Sequence, residues 1–147
     1  MIVPDINILI YALNKDHVYH RQAKRWLEKA VSGGEAVGLS WIVILGFLRI
    51  VTSEKIMANP IDMETAFRIV DGWLEFPAVR IIEPTDRHWS ILKEILSPLG
   101  TAGNLTSDAH LAALAVEYGG RLYSTDNDFA RFRGVRWKNP LQPEKNG

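Results

Sequence analysis

The sequence predicts an α/β protein, a three-layer α/β/α sandwich around a mostly parallel sheet. Short apolar runs rich in β-branched residues alternate with longer stretches whose apolar residues recur every three or four positions. No repeat, low-complexity segment or linker interrupts the 147 residues, so one domain spanning 1–147 is expected.

The strand-like runs are Ile2 to Val3, leading into Asp5, then Ala36 to Leu39, Val79 to Ile82, Leu122 to Ser124 and Val135 to Trp137. Between them Ala23, Trp26, Leu27, Ala30 and Val31 form an amphipathic stripe that Gly33-Gly34 stops. Trp41 to Val51 is apolar nearly all round, which predicts a helix buried on most faces. Met63, Ala66, Phe67, Val70, Trp73 and Leu74 make another stripe, closed by Pro77. Thr85 is placed to cap a helix carrying Trp89, Leu92, Ile95 and Leu96. Thr106 or Ser107 is placed to cap the helix through Leu111, Leu114 and Ala115, which ends at Gly119-Gly120.

Composition narrows the function. With 47% hydrophobic and 23% charged residues the chain has the balance of a soluble globular domain. It has no cysteine, which removes disulfides and thiolate metal sites and fits a reducing compartment. The apolar N-terminus lacks a basic leader and carries Asp5, so it does not read as a signal peptide. The longest apolar stretch, Trp41 to Leu48, is too short to span a bilayer, and a cytoplasmic protein without membrane contact is expected. The 17 basic and 17 acidic residues cancel, so bulk charge points to no nucleic-acid partner. Locally, Arg121 to Lys138 holds five basic residues against two acidic ones, with Phe129, Phe132 and Trp137 interleaved. Arg131, Arg133, Arg136 and Lys138 are therefore candidate phosphate contacts, with a solvated surface as the plainer reading.

Three aspartates occupy comparable places. Asp5 ends the first strand, Asp126 follows the strand RLYST, and Asp108 lies in the first turn of the helix leading into that strand. Open parallel sheets bind ligands beyond the carboxyl ends of their strands, near the switch in strand order. Carboxylates gathered there repel one another unless a cation neutralises them, and hard oxygen donors select Mg²⁺ or Mn²⁺. Such a site suits phosphodiester hydrolysis. Each aspartate could equally be a helix or turn cap.

The segments PDINILIYA, FLRIVTS, TSDAHLAALAVEYGGRLYSTDNDFARF and RWKNPL, in this order and spacing, resemble PIN-domain proteins, specifically the VapC toxins of toxin–antitoxin pairs. The resemblance covers essentially the whole chain. It implies a Mg²⁺- or Mn²⁺-dependent endoribonuclease acting on structured RNA such as tRNA or ribosomal RNA, blocked by a VapB-like antitoxin, and usually a homodimer. By position, Asp5, Asp108 and Asp126 match the family's first, third and fourth acidic residues. Asp128 matches an accessory acidic position, and Asn7 a polar residue that orients Asp5 or solvent.

The departure is at the second acidic position. ILGFLRIV puts Gly46 where many PIN nucleases carry a glutamate, with Arg49 matching the arginine one turn later. The site is then one carboxylate short, and weaker cation binding is expected. Asn104, ahead of the Asp108 helix, is a candidate neutral substitute or a turn residue. Two other readings compete. One is a catalytically weak or silent PIN-like module that binds RNA or protein, motivated by Gly46. The other is a phosphotransfer enzyme of the haloacid-dehalogenase type, which needs DxDxT where this chain has Asn7 and Leu9. The histidines show no ligand-pair spacing. His110 falls on a different helix face from Asp108, and a surface or capping role is the default for His88.

Overall fold

The computed structural model describes residues 1–141. Five strands form one parallel sheet: β1 Ile2–Pro4, β2 Val37–Ser40, β3 Val79–Ile82, β4 Arg121–Tyr123 and β5 Trp137–Lys138, in the order β3-β2-β1-β4-β5. Six helices connect them: α1 Ile6–Leu13, α2 His20–Val31, α3 Trp41–Val51, α4 Met63–Glu75, α5 His88–Leu96 and α6 Leu105–Glu117. Growth from β1 through β2 to β3 runs one way, and the chain then returns through α5 and α6 to place β4 on the other side of β1. Crossovers between parallel strands are right-handed, so the reversal puts the first four helices on one face and α5 and α6 on the other. Packing agrees: α1 meets α2 and α3, α3 meets α4, and α5 pairs with α6. This is the expected sandwich. Among the described residues no helix is long and apolar enough to cross a membrane.

Helix α1 has no counterpart among the helices that the sequence pattern predicts. Ile6 to Leu13 is apolar almost throughout, so it shows no polar face from which a helical period could be read. Asp5 starts it: its backbone is extended and its carboxylate accepts the Ile6 N–H at 2.8 Å. Two expected caps are corrected. Helix α5 begins after Arg87, and Thr85 instead makes a turn whose hydroxyl accepts the Arg87 N–H at 3.2 Å. Helix α6 begins at Leu105, so Thr106 and Ser107 lie inside its first turn, and the Thr106 hydroxyl donates back to the Gly103 carbonyl. The stop at Gly119 holds, with φ at +61° in the left-handed region that glycine enters without a Cβ clash.

The core joins sheet and helices through Val3, Leu39, Leu122, Phe47, Leu114 and Phe129, all essentially inaccessible. Not every apolar stripe belongs to it. Helix α3 buries Val43, Ile44 and Phe47 but leaves Trp41 48% and Leu45 60% exposed, which corrects the expectation of burial on most faces. Phe67 on α4 and Trp89 on α5 are also largely exposed.

A polar clamp fixes α6. Glu117, with a fully buried side chain, accepts from the Thr85 N–H at 2.8 Å and the Thr85 hydroxyl at 2.6 Å through one oxygen. Its other oxygen faces His88 Nδ1 at 2.6 Å, and His88 Nε2 meets His110 Nδ1 at 2.9 Å. Arg87 Nη2 donates to the Glu117 carbonyl at 2.7 Å. His88 is thus a half-buried tie between Glu117 and His110, and its default assignment to the surface or to a cap is corrected. Desolvation alone would raise the Glu117 pKa, but the donors from Thr85 and His88 outweigh it and hold the carboxylate below its ordinary 4.5. A depressed carboxylate contributes stability that is present above the unfolded pKa and lost as pH falls through the folded one. Replacing it with Glu117→Ala should cost about 1.5–3 kcal/mol at pH 7 in urea unfolding. The gap to wild type should narrow below pH 4.5; a gap independent of pH would refute the clamp's ionic character.

Candidate active site

The reversal in strand order falls between β1 and β4, so their carboxyl ends open a crevice there. β1 and β4 run in register, Ile2 beside Arg121 through Pro4 beside Tyr123, and the Asp5 N–H extends the pairing by donating to the Tyr123 carbonyl at 2.9 Å. That register sets Asp5 beside Ser124, the residue that organises the site. The Ser124 hydroxyl is inaccessible and donates to Asp5 Oδ2 at 2.7 Å. It accepts from the Asp126 N–H at 3.0 Å and from Asn7 Nδ2 at 3.3 Å. β5 holds its backbone, with the Lys138 carbonyl accepting its N–H at 3.1 Å and Trp137 Nε1 donating to its carbonyl at 3.0 Å.

Asp126 opens a short 3₁₀ turn, Asn127–Arg131, and its Oδ1 accepts the Asp128 N–H at 2.9 Å. This turn brings Asp128 back toward α6. Asp108, Asp126 and Asp128 each present a carboxylate oxygen within 4.8 Å of the others. Asp5 stands beside this trio, tied to Asp126 through Ser124. The cap reading and the site reading coexist, since Asp5 and Asp126 both cap a turn while facing the crevice.

The electrostatics follow from this crowding. Burial raises the Asp108 pKa first, and the like charges of Asp126, Asp5 and Asp128 raise it further, to about 6. Burial also raises Asp5, partly offset by the hydrogen bonds from Ser124 and Ile6, with the charge of Asp126 adding to the rise. The donor set is hard oxygen only, which suits Mg²⁺ or Mn²⁺. Asn7 supplies an independent sign of a polar guest. The Ser124 proton is committed to Asp5, so Ser124 must accept from the Asn7 NH₂, which orients Asn7 Oδ1 away. That Oδ1 is buried and has no partner among the described residues, a lone pair suited to the hydration shell of a cation.

The other expected residues are dispersed. Asn104 is exposed at the start of α6 and makes no side-chain cap bond. Arg49 is exposed in the last turn of α3. Arg131, Arg133 and Lys138 are exposed, whereas Arg136 spends its guanidinium on the Gly119 carbonyl at 2.6 Å. The interleaved aromatics are not stacking platforms: Phe129 and Phe132 are buried against each other, and Trp137 braces Ser124. Gly46 is buried on α3, and a Cβ built there would lie 2.5 Å from Ile6 Cδ1. In the sequence Ser124 stands only as the end of a strand-like run, and its place two residues before Asp126 is the available signal.

The PIN-domain family profile matches residues 2–135. This chain belongs to the PIN-domain family. It is 43% identical over 140 residues to ribonuclease VapC37 of Mycobacterium tuberculosis, covering 95% of this chain and 97% of that protein. It is 41% identical over 142 residues to ribonuclease VapC33 of the same species, covering 97% and 99%. In three dimensions it resembles VapBC2 from Rickettsia felis, solved bound to a promoter DNA fragment, with a TM-score of 0.69 at 21% identity, covering 95% of this chain and 98% of that one. The last likeness concerns the fold; the first two put the chain in the VapC branch of the family.

A raised carboxylate pKa opposes folding once the group ionises. The stabilising protonated form is fully present below the unfolded pKa and lost as pH rises through the folded value near 6. Asp108→Asn should therefore melt at a higher temperature than wild type at pH 8 in chelator, and the two should converge toward pH 4. Lower stability of the variant at pH 8 would contradict the crowding.

Proposed function

We propose that this PIN-domain protein is the endoribonuclease of a toxin–antitoxin pair, cutting structured RNA with Mg²⁺ or Mn²⁺ held by Asp5, Asp108 and Asp126. The observation that carries this reading is the cluster at the β1–β4 switch, where Asp108, Asp126 and Asp128 bring carboxylate oxygens within 4.8 Å of one another and Ser124 ties Asp5 to Asp126, with Asn7 Oδ1, unpartnered among the described residues, beside it. When bound, such a cation lowers the pKa of a coordinated water and neutralises charge on the phosphodiester.

The chain's own groups do the rest. Ser124 fixes the rotamer of Asp5, and β5 fixes Ser124, so the donors are oriented before any ligand arrives. Asp108 must be ionised to serve, and a divalent charge nearby favours that form. Arg131, Arg133 and Lys138, exposed on the segment after Asp126, supply positive charge for the flanking RNA phosphates.

The antitoxin is the second partner in this reading, since the Rickettsia felis relative was solved as a VapBC complex. A groove of about 340 Å³ between α1, α2 and α4, lined by Leu27, Val31, Ile69, Trp73 and Phe76, offers it an apolar seat. A basic side chain from such a partner, set among the aspartates, would compete with the cation. Trp41 and Leu45, one turn apart and exposed on α3, offer apolar surface to a second copy of the chain, which supports a homodimer.

Purified protein should cleave RNA with added Mn²⁺ or Mg²⁺ and stop on chelation. Asp5→Asn, Asp108→Asn and Asp126→Asn should each lose more than about 100-fold, and Ser124→Ala about 10–100-fold. Sequencing of RNA ends after induced expression, beside the Asp5→Asn control, reads the substrate. Cleavage that survives chelator, or wild-type rates in two of the aspartate variants, would overturn the assignment. Light scattering should report a dimer that Leu45→Glu dissociates; a monomer at high micromolar concentration would remove that part of the reading.

A further inference from the structure

The geometry points to the hairpin of α1 and α2 as a second RNA-holding surface. On it Arg21, Lys24 and Arg25 meet phosphates, and the rings of Tyr11, His17 and Tyr19 receive an unpaired base. The inference rests on the RNA-cutting reading above and names where the flank of the substrate is held.

The sheet sets the place of this hairpin. Asp5 follows β1 and caps α1, so α1 leaves the sheet from the crevice itself, and Tyr11 lies about 9 Å further along the helix axis. The chain then turns back and α2 packs against α1. His20 Nδ1 donates to the Tyr11 carbonyl at 2.9 Å, which sets the start of α2 beside the end of α1. Further along α2, the ring centroids of Trp26 and Tyr123, the last residue of β4, lie 5.0 Å apart. After the helix, Glu35 accepts from the Met1 amino group at 3.1 Å, at the opposite end of the sheet. Helix α2 therefore runs from the crevice side toward the strand starts. Arg21 to Arg25 stand on the crevice side of Trp26.

Arg21, Lys24 and Arg25 are exposed, and with His20 and Glu28 they line a shallow concavity of about 320 Å³. The fold gains little by gathering them. Among the described residues neither arginine forms an ion pair, and Lys24 has only the exposed Glu28, at 4.0 Å. Arg21 stands in the first turn of α2, where the helix dipole disfavours a cation and no acidic residue offsets it. Asp16, the acid of the preceding turn, is occupied by Asn59 Nδ2 at 2.8 Å. Regularly spaced anions answer such a cluster, and RNA carries one on each nucleotide. Cations alone would suit an acidic peptide equally; the adjoining rings decide for RNA. Tyr11 and His17 are stacked at 3.9 Å with 13° between their planes, and Tyr19 leans on both, at 6.1 and 5.6 Å. The Tyr19 N–H donates to His17 Nδ1 at 3.1 Å, so the rings are ordered before a ligand arrives. Tyr19 is exposed, as is Val18 beside it. Open aromatic faces next to arginines are what unpaired bases stack on. Lys24 and Glu28 also border the apolar groove between α1, α2 and α4, whereas Arg21 and Arg25 do not, so the two arginines report on this surface alone.

Fluorescence anisotropy of labelled oligouridine, measured in chelator, tests this without reference to cation or cleavage. The pair Arg21→Gln/Arg25→Gln should weaken binding at least about tenfold and lower the salt slope by about 1.4, two phosphate contacts at about 0.7 each. Its melting temperature should be no lower than wild type. Tyr19→Leu should weaken binding about fivefold or more, and Tyr19→Phe should restore it. In the cleavage assay the arginine pair should raise KM and leave kcat nearly unchanged. Wild-type affinity and salt slope in the arginine pair would overturn the inference, and wild-type affinity in Tyr19→Leu would remove its stacking half. Displacement of the labelled RNA by polyglutamate as readily as by unlabelled oligouridine would assign the cations to an acidic peptide and also overturn it. The two readings fail separately. Oligouridine affinity that depends on Arg21 and Arg25 upholds this surface even if the aspartate variants cleave normally. Cleavage lost in those variants, with no dependence of binding on the arginines, removes this surface alone.

Discussion

Mutual repulsion among carboxylates at one end of the β1–β4 seam is the constraint to which the rest of the molecule answers. Asp5, Asp108, Asp126 and Asp128 come from two strand ends, a helix and a 3₁₀ turn, and the sheet register forces them together. An unfolded chain would keep them apart. The folded one tolerates them by giving Asp5 two hydrogen-bond donors and Asp126 one, while Asp108, which lies in the first turn of a helix whose start no side chain caps, carries a pKa near 6. The sequence does not distribute this discomfort evenly, and the least supported carboxylate is the one most dependent on a counter-charge. A divalent cation answers that need, as would a basic side chain from an inhibitory partner. Activity and inhibition in the proposed pair would then draw on the same electrostatic deficit.

Such a site needs a rigid frame, because donors that can swing apart relieve their repulsion by moving. Two polar devices provide it. Ser124 uses its complete hydrogen-bonding capacity, one donor and two acceptors, to lock Asp5, Asp126 and Asn7 into one arrangement. The Glu117 clamp works at the far end of α6. Through Thr85, His88 and His110 it ties that helix to α5 and to the loop after β3, so Asp108 cannot retreat by a tilt of its helix. His110 and Asp108 stand two residues apart and so face opposite ways, one toward the clamp and one toward the crevice.

The sequence showed the architecture well because strands and most helices write their period into it. It showed the aspartates because strand ends in a parallel sheet converge by topology. Where burial is uniform the signal fades: α1 has no polar face, so its existence rests on Asp5 as a cap, which is visible only in hindsight. The basic-aromatic strip misled for a related reason. Composition cannot say that Phe129 and Phe132 point inward or that Arg136 closes the end of α6. His88 looked like surface because its partners, Glu117 and His110, lie 29 and 22 residues away. Ser124 was hidden more simply, since a serine at a strand end is commonplace until the register of two strands places it against a carboxylate.

Gly46 shows how a departure from a family pattern should be read. Taken alone it suggests a weakened or silent site. Taken with Ile6 it marks a close contact, since a Cβ at 46 would meet Cδ1 of the first residue of α1, whose backbone N–H holds Asp5. A side chain at 46 therefore needs the end of the Ile6 side chain to turn aside, next in sequence to Asp5.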